Sequence, residues 1–298
     1  MHTRFRSDYR RIGLAAALMF ALSPSLAQER APNRSGKLLL TGGVSQLEGS
    51  GGGGLTPWAL IGGYGTRDQI GANAYYTRVD VSDYSLDSYG ALVGFYDRVE
   101  LSISRQEFDT QAVGAALGVG RGFSFNQDTV GLKIKLFGDA VYEQDSWLPQ
   151  VSFGAQHKRN DQPDVLAFVG ADRHDDIDFY LSATKLYLGS SLLVNGNLRY
   201  TRANQFGILG FGGDQRSSRS LQFEGSIASL LSRNLALGAE FRSKPDNLGI
   251  ADEDAAWDVF LAWAPSKHAS LTLAYVDLGN IVIADDQRGW YASLQFGF

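Results

Sequence analysis

The sequence predicts an all-β chain: a transmembrane antiparallel up-and-down β-barrel of about fourteen strands, with twelve as the alternative. Its turns are expected to be tight on the periplasmic side and its loops longer on the extracellular side. Three observations predict this. Apolar residues recur at every second position over most of the chain, in segments of ten to thirteen residues. Short and long gaps between those segments alternate. The last segment, WYASLQFGF, ends on an aromatic residue, Phe298, with apolar residues at two-residue steps before it. Strands of that length suit a tilted crossing of a bilayer, whereas globular strands are usually about five or six residues long.

The N-terminus gives the compartment. Arg4, Arg6, Arg10 and Arg11 precede the apolar run IGLAAALMFAL and then SPSLAQ. This is the three-part layout of a secretory signal peptide, with cleavage expected after Ala27, and the run is too short to anchor the chain across a membrane. The expected organisation is a signal peptide over 1–27, a short periplasmic segment over 28–35, and a barrel over 36–298. Without residues 1–27 the chain keeps 23 basic and 31 acidic residues, a net charge of about −8. That balance argues against nucleic acid as a partner. No cysteine is present, which excludes a disulfide framework and thiolate metal sites. The expected location is the outer membrane of a Gram-negative bacterium.

Strands are expected at roughly 36–46, 57–66, 69–80, 85–97, 98–108, 125–138, 147–158, 176–188, 191–203, 217–230, 233–244, 254–265, 268–279 and 287–298. In LQFEGSI, for example, Leu221, Phe223 and Ile227 oppose Gln222, Glu224 and Ser226. This period of two marks a strand with one apolar face. One set of gaps is tight, apart from 139–146. The other set is long (47–56, 109–124, 159–175, 204–216, 245–253, 280–286), apart from 81–84. Outer-membrane barrels sort their connections in this way, and sandwiches have no reason to. An even strand count leaves both termini on the periplasmic side. No plug domain is expected before the first strand.

Strand parity then assigns faces. Glu100, Lys133, Lys135, Arg199, Glu224, Glu240, Arg242 and Asp258 are expected in the lumen, where mixed charges can pair or set a weak selectivity. Trp147, Tyr187, Tyr200, Trp257, Trp263 and Trp290 fall at or near strand ends on the apolar face, as an interfacial girdle requires. Lys185 shares the parity of Phe179 and Leu181, so it is expected to snorkel to the headgroups. Leu294, Phe296 and Phe298 resemble the terminal signal read by barrel-insertion machinery.

The polar constellations give weak chemistry. His268 and Ser270 share a strand face, with no third group evident to orient the histidine. Asp172, His174, Asp175, Asp176 and Asp178 sit together in ADRHDDID and read as a hydrated acidic loop. GSGGGG (49–54) and GVGRG (118–122) lack the strand–helix context and the Lys-Ser/Thr of a phosphate cradle. They read as turned loop backbone. No catalytic, cofactor or metal residues are assigned, and no cofactor is expected. Two outside loops, TQAVGAALGVG (110–120) and VLAFVG (165–170), are unusually apolar. They could fold into the barrel mouth as a constriction, cover a hydrophobic ligand, or pack on the rim as a short helix or strand extension.

The stretch GKLLLTGGVSQLEGSGGGGLTPWALIGGYGTRDQIGANAYYT, followed by SYGALVGFYDRVELSISRQ, resembles the proteobacterial family catalogued as domain of unknown function 3034. The resemblance is densest over about 36–110. It implies an exported outer-membrane barrel and carries no catalytic or ligand residues.

The leading expectation is a passive channel or uptake pore for a small solute, restricted by the loops at 109–124 and 159–175. The alternatives are a non-transporting structural or interaction barrel in envelope assembly or polymer export, and an outer-membrane lipid hydrolase or protease. An enzyme is not the expected outcome. The expected partners are outer-membrane lipids and lipopolysaccharide, the insertion machinery during biogenesis, and a small-molecule solute.

Overall fold

The structure, a computed structural model, describes residues 36–298; the signal peptide over 1–27 and the segment 28–35 lie outside the described residues. Twelve strands close into one barrel: β3 (Ile70–Val81), β4 (Ser85–Phe95), β5 (Val99–Asp109), β6 (Ser124–Phe137), β7 (Gln150–Asn160), β8 (Asp175–Tyr187), β9 (Leu192–Thr201), β10 (Ser220–Ser232), β11 (Leu235–Arg242), β12 (Ala256–Ser266), β13 (Ala269–Asp277) and β14 (Arg288–Gly297). Each pairs antiparallel with its sequence neighbours. The ring shuts where β14 meets β3, with Leu294 opposite Tyr76 and Gly297 opposite Asn73. Phe298 continues that pairing: its N–H donates to the Ala72 carbonyl at 2.8 Å, and its own carbonyl accepts from the Ala72 N–H at 3.2 Å. The terminus is therefore tied into the wall, and the closed ring leaves no free sheet edge in lipid.

The count is twelve, the stated alternative, because two of the fourteen expected strands are not in the wall. Residues 36–46 and 57–66 lie inside the barrel. There the two-residue strands β1 (Val44–Ser45) and β2 (Gly51–Gly52) pair as a small hairpin. Leu47, Leu55, Trp58, Leu60 and Ile61 are all buried. An apolar residue at alternate positions is satisfied equally well by lipid or by the apolar part of a lumen, so period two alone could not place them.

Connections on the rim shared by the start of β3 and the end of β14 are short, except for 138–149. Those on the opposite rim are long, except for 82–84. The long connection on the short side explains Lys185, which is buried and does not snorkel. Segment 138–149 folds over it, and its ammonium donates to the carbonyls of Asp139 (3.1 Å), Glu143 (2.7 Å) and Leu148 (3.2 Å). Three backbone acceptors replace the headgroup water that a lipid-facing lysine would seek.

Outward residues form an apolar belt that includes Leu101, Ile103, Val130, Leu132, Leu181, Leu237, Leu261 and Leu273, all exposed on the outer surface. Trp147 (82% exposed), Tyr187, Tyr200, Trp257, Trp263 and Trp290 stand outside the wall, as do Leu294, Phe296 and Phe298. The two apolar loops become short helices, α1 (Val113–Ala116) and α2 (Pro163–Phe168). Leu166 of α2 is buried, whereas Phe168 is exposed.

Candidate functional site

The candidate site is the lumen and the segment that fills it. An irregular stretch of chain inside a barrel brings backbone N–H and C=O groups that no sheet ladder pairs, and each must find another partner. Here the inward side chains of the wall supply them, at three levels.

At the periplasmic rim, the Lys37 ammonium lies 2.8 Å from Asp97 and donates to the Ile61 carbonyl at 2.6 Å. Lys135 lies 2.8 Å from the same aspartate. Burial acts to raise the Asp97 carboxyl, but Lys37 and Lys135 outweigh it and hold the group below the ordinary carboxylate range. For Lys37, the more deeply buried partner, burial outweighs the pairing and pulls the ammonium below its ordinary value. The Lys37 N–H also donates to the Tyr64 carbonyl at 3.1 Å, so the two ends of the segment leave the lumen side by side.

At mid-lumen, Glu100 accepts from the N–H groups of Gly51 (2.9 Å) and Gly62 (2.7 Å) and pairs with Lys133 at 3.0 Å. Lys133 in turn donates to the carbonyls of Gly51 (2.7 Å), Trp58 (3.1 Å) and Leu60 (2.7 Å). On the other side, Glu240 accepts from the Leu55 N–H (2.7 Å), the Thr56 hydroxyl (2.6 Å) and the Ser226 hydroxyl (2.9 Å). Asp258 sits opposite Glu240 in the register. The glycines at this level have a steric reason. A Cβ on Gly52 would lie 2.4 Å from the Thr56 carbonyl oxygen, and one on Gly53 would lie 2.0 Å from a Glu240 oxygen. GSGGGG is thus close-packed backbone.

At the outer tip, Glu48 meets three wall cations. Lys158 pairs with it directly, Arg242 lies 3.1 Å from each of its oxygens, and Arg199 lies 3.9 Å away. Two wall carboxylates share the cluster. Asp178 lies 2.7 Å from Lys158, and Glu224 lies 2.5 Å from Arg199 and 3.1 Å from Arg242. All are buried, with Arg199 only 1% exposed.

The eight lumen charges read from parity therefore all lie inside, and seven of them touch the segment, each other or Asp97. Parity missed Lys158 and Asp178, which lie on lumen-facing positions of β7 and β8 and which the same alternation reaches. It could not find Glu48, because the segment that carries Glu48 has no wall to set its parity.

A second element closes the outer mouth. In the connection 202–219, Phe206, Ile208, Leu209 and Phe211 are buried. The Phe206 carbonyl accepts from Lys158 at 3.1 Å, and the Arg242 guanidinium stacks over the Phe206 ring at 4.0 Å. Gln205 and Phe206 both have positive φ, at 43° and 62°. The constriction thus comes from 37–66 and 203–211, with the loops 109–124 and 159–175 on the rim. The run QFGILGFGG has the same apolar excess in a long loop that singled out 110–120 and 165–170, and that signal could have found it.

The other constellations disperse. Asp178 points into the lumen, Asp176 pairs with Arg202 (2.5 Å) and Arg219, and Asp175 lies 3.6 Å from His157 and 3.7 Å from His174. A strand sends successive residues to opposite faces, so Asp175 cannot join Asp176 and Asp178. The His268 ring nitrogen Nδ1 lies 3.1 Å from the Gly297 carbonyl oxygen, against the closing strand. Among the described residues no three His, Asp or Glu side chains are arranged to hold a metal ion. In the periplasmic half of the lumen an apolar cavity of about 30 Å3 remains beside Leu40, Trp58, Ala236 and Phe260. It has room for a water or two but not for a solute.

A closed ring of twelve antiparallel strands, apolar outside and polar inside, with aromatic residues standing off its outer face, defines a transmembrane barrel of the outer-membrane class. The chain belongs to the family described as "Protein of unknown function (DUF3034)", whose model matches residues 41–295. Among solved structures, the KdgM porin is similar at a TM-score of 0.51 and 12% identity, over 76% of this chain and 99% of that one. The NanC porin follows at 0.47 and 11%, over 77% and 98%. Outer membrane phospholipase A from Escherichia coli scores 0.43 at 12%, over 79% and 94%. At 12% identity the likeness to the KdgM porin is one of fold alone. No curated protein matches the chain.

Proposed function

We propose that this protein is an outer-membrane channel that rests closed and passes a small solute when the inner segment 37–66 yields. One observation carries the reading. The segment enters and leaves the lumen at the same periplasmic rim, with Lys37 bonded to Tyr64 and paired with Asp97. It can therefore withdraw as a hairpin without opening any bond of the wall ladder. The lumen it vacates is lined by charges from β5 to β12 and by neutral polar residues such as Asn73, Thr77, Thr272, Ser293 and Gln295 elsewhere, which suits a hydrated path. Export by the signal peptide at 1–27, contact with lipopolysaccharide, and reading of Leu294, Phe296 and Phe298 by the insertion machinery belong to the same proposal. Deleting Phe298 removes the last two bonds of the closing strand and should lower insertion yield before it alters any transport; unchanged insertion would refute that role.

Because the chain has no cysteine, the gate can be locked cleanly. The Thr56 and Ser226 hydroxyls lie 2.6 Å apart, so Thr56→Cys with Ser226→Cys can bridge the segment to the wall. In planar-bilayer recordings the reduced protein should open and the oxidised protein should stay silent. Silence in both states, under voltage and across solutes, would sink the channel reading. A non-transporting structural barrel is the second reading, favoured by the buried pairs Lys133–Glu100 and Arg199–Glu224 that brace the filled lumen. Silence together with one reproducibly co-purifying partner would support it.

A further inference from the structure

The tip cluster has an uneven charge balance. The wall contributes three cations, Lys158 of β7, Arg199 of β9 and Arg242 of β11. It contributes two carboxylates, Asp178 of β8 and Glu224 of β10. The wall alone therefore carries one positive charge in excess at this level, and Glu48 of the inner segment cancels it. The geometry is that of carboxylate recognition. Arg242 presents Nη1 to one oxygen of Glu48 and Nη2 to the other, each at 3.1 Å, the planar fork that guanidinium groups offer carboxylates. The Lys158 ammonium completes the ring on Oε1, and the Gln46 amide donates to Oε2 at 2.9 Å.

If the segment leaves, Glu48 leaves with it. Arg242 then loses its two-pronged partner and Lys158 one of its two carboxylates, so the vacated wall keeps one positive charge in excess and a preformed fork for another carboxylate. We infer that Lys158, Arg199 and Arg242 form a carboxylate-binding site in the barrel wall, which Glu48 occupies at rest as an internal stand-in for an anionic solute. The identity of the solute class rests on the channel reading above; the existence of the site does not. On this view Glu48 acts both as latch and as competitor. A carboxylate solute arriving at the triad takes over the bonds that hold the tip, and so couples its own binding to release of the segment. The aromatic ring of Phe206, stacked on Arg242, keeps the guanidinium plane oriented and covers it from the outer side.

Two measurements test the site. Glu48→Ala should fold with a lowered heat-denaturation midpoint in sodium chloride. Sodium acetate at equal ionic strength should restore at least half of that loss, saturably. Neutral acetamide should restore none, and adding Arg242→Gln should abolish the recovery. A folded Glu48→Ala barrel that does not distinguish acetate from chloride overturns the site. If that variant folds in neither salt, Ser50→Cys in the otherwise intact chain decides, since Ser50 lies two residues from Glu48 and is buried. Acetate should accelerate thiol labelling of Cys at that position severalfold over equal chloride, by displacing Glu48; equal rates in the two salts overturn the proposal. The channel reading is judged separately by the Thr56–Ser226 lock. Acetate rescue in a barrel that never conducts would keep the site and discard the channel, and conductance without rescue would do the reverse.

Discussion

The wall and the inner segment of this barrel are held by different physics. The wall is a closed ladder of backbone hydrogen bonds whose outward side chains need only be apolar. Leu101, Ile103 and Leu273 serve there as members of a pattern, and a conservative exchange among them changes little. The inner segment has almost no ladder of its own beyond Val44–Ser45 with Gly51–Gly52. It is held by named side chains reaching from the wall to its carbonyls, its N–H groups and Glu48. The wall is robust to sequence and the segment is specific. The segment's attachment thus rests on separate side-chain bonds, each of which a single substitution can remove.

The largest effect is expected at the tip. Lys158→Met removes the cation shared by Glu48 and Asp178 and should cost about 3–5 kcal/mol, as loss of one partner from a buried pair does. The segment should become open to limited proteolysis within 47–56 while the barrel keeps its heat-modifiable band on gels. If the band is lost as well, wall and segment do not separate as claimed. Leu273→Arg attacks the wall instead. A charge on the lipid face costs about 2–4 kcal/mol near the bilayer centre, so membrane insertion should fall with the tip cluster untouched. Gly52→Ala sharpens the contrast on the backbone. The added Cβ meets the Thr56 carbonyl at 2.4 Å and the Trp58 nitrogen at 2.6 Å, and overpacking of this kind costs about 1–3 kcal/mol. Protease access to the segment should rise, and wall strand content by circular dichroism should not change.

The smallest effect is expected at the periplasmic rim. Asp97 is held below its unfolded value near 4, so its contribution is present above that pH and is lost as pH falls through the lower, folded value. Release of the segment, read by proteolysis, should therefore be flat from neutral pH down to about 5 and rise only below about 4. In Asp97→Asn that acid step should be missing and the baseline should be raised, by about 1 kcal/mol at a site so near the solvent. A step near pH 6–7 would mean that some other group holds the rim.

The eight lumen charges and the outward aromatics of the strands were legible because a strand in a wall sends alternate residues to opposite faces. The segment over 36–66 was not, and for the same reason. Leu38, Leu40 and Val44 share one parity, which reads as a strand whether the apolar partner is lipid or a lumen. Trp147, expected in a strand over 147–158, instead lies in the connection 138–149, because β7 begins only at Gln150. Lys185 failed in a related way. Its parity was right for the strand, but segment 138–149 changed what lay opposite. ADRHDDID looked like a cluster in one dimension and was divided among lumen, rim and outer face by strand geometry.

Periodicity in the sequence specifies a β chain with antiparallel strands long enough to cross a bilayer, apolar outward and charged inward, with short turns at one rim and a terminal strand fit to close the ring. Those properties follow from periodicity and spacing, which are local. The twelve members of the ring, the path of residues 37–66 inside it, and the basic triad from β7, β9 and β11 that Glu48 completes are properties of the closed structure. Those depend on which surfaces end up facing each other across the lumen, and residues far apart in the chain meet there only once the barrel has closed.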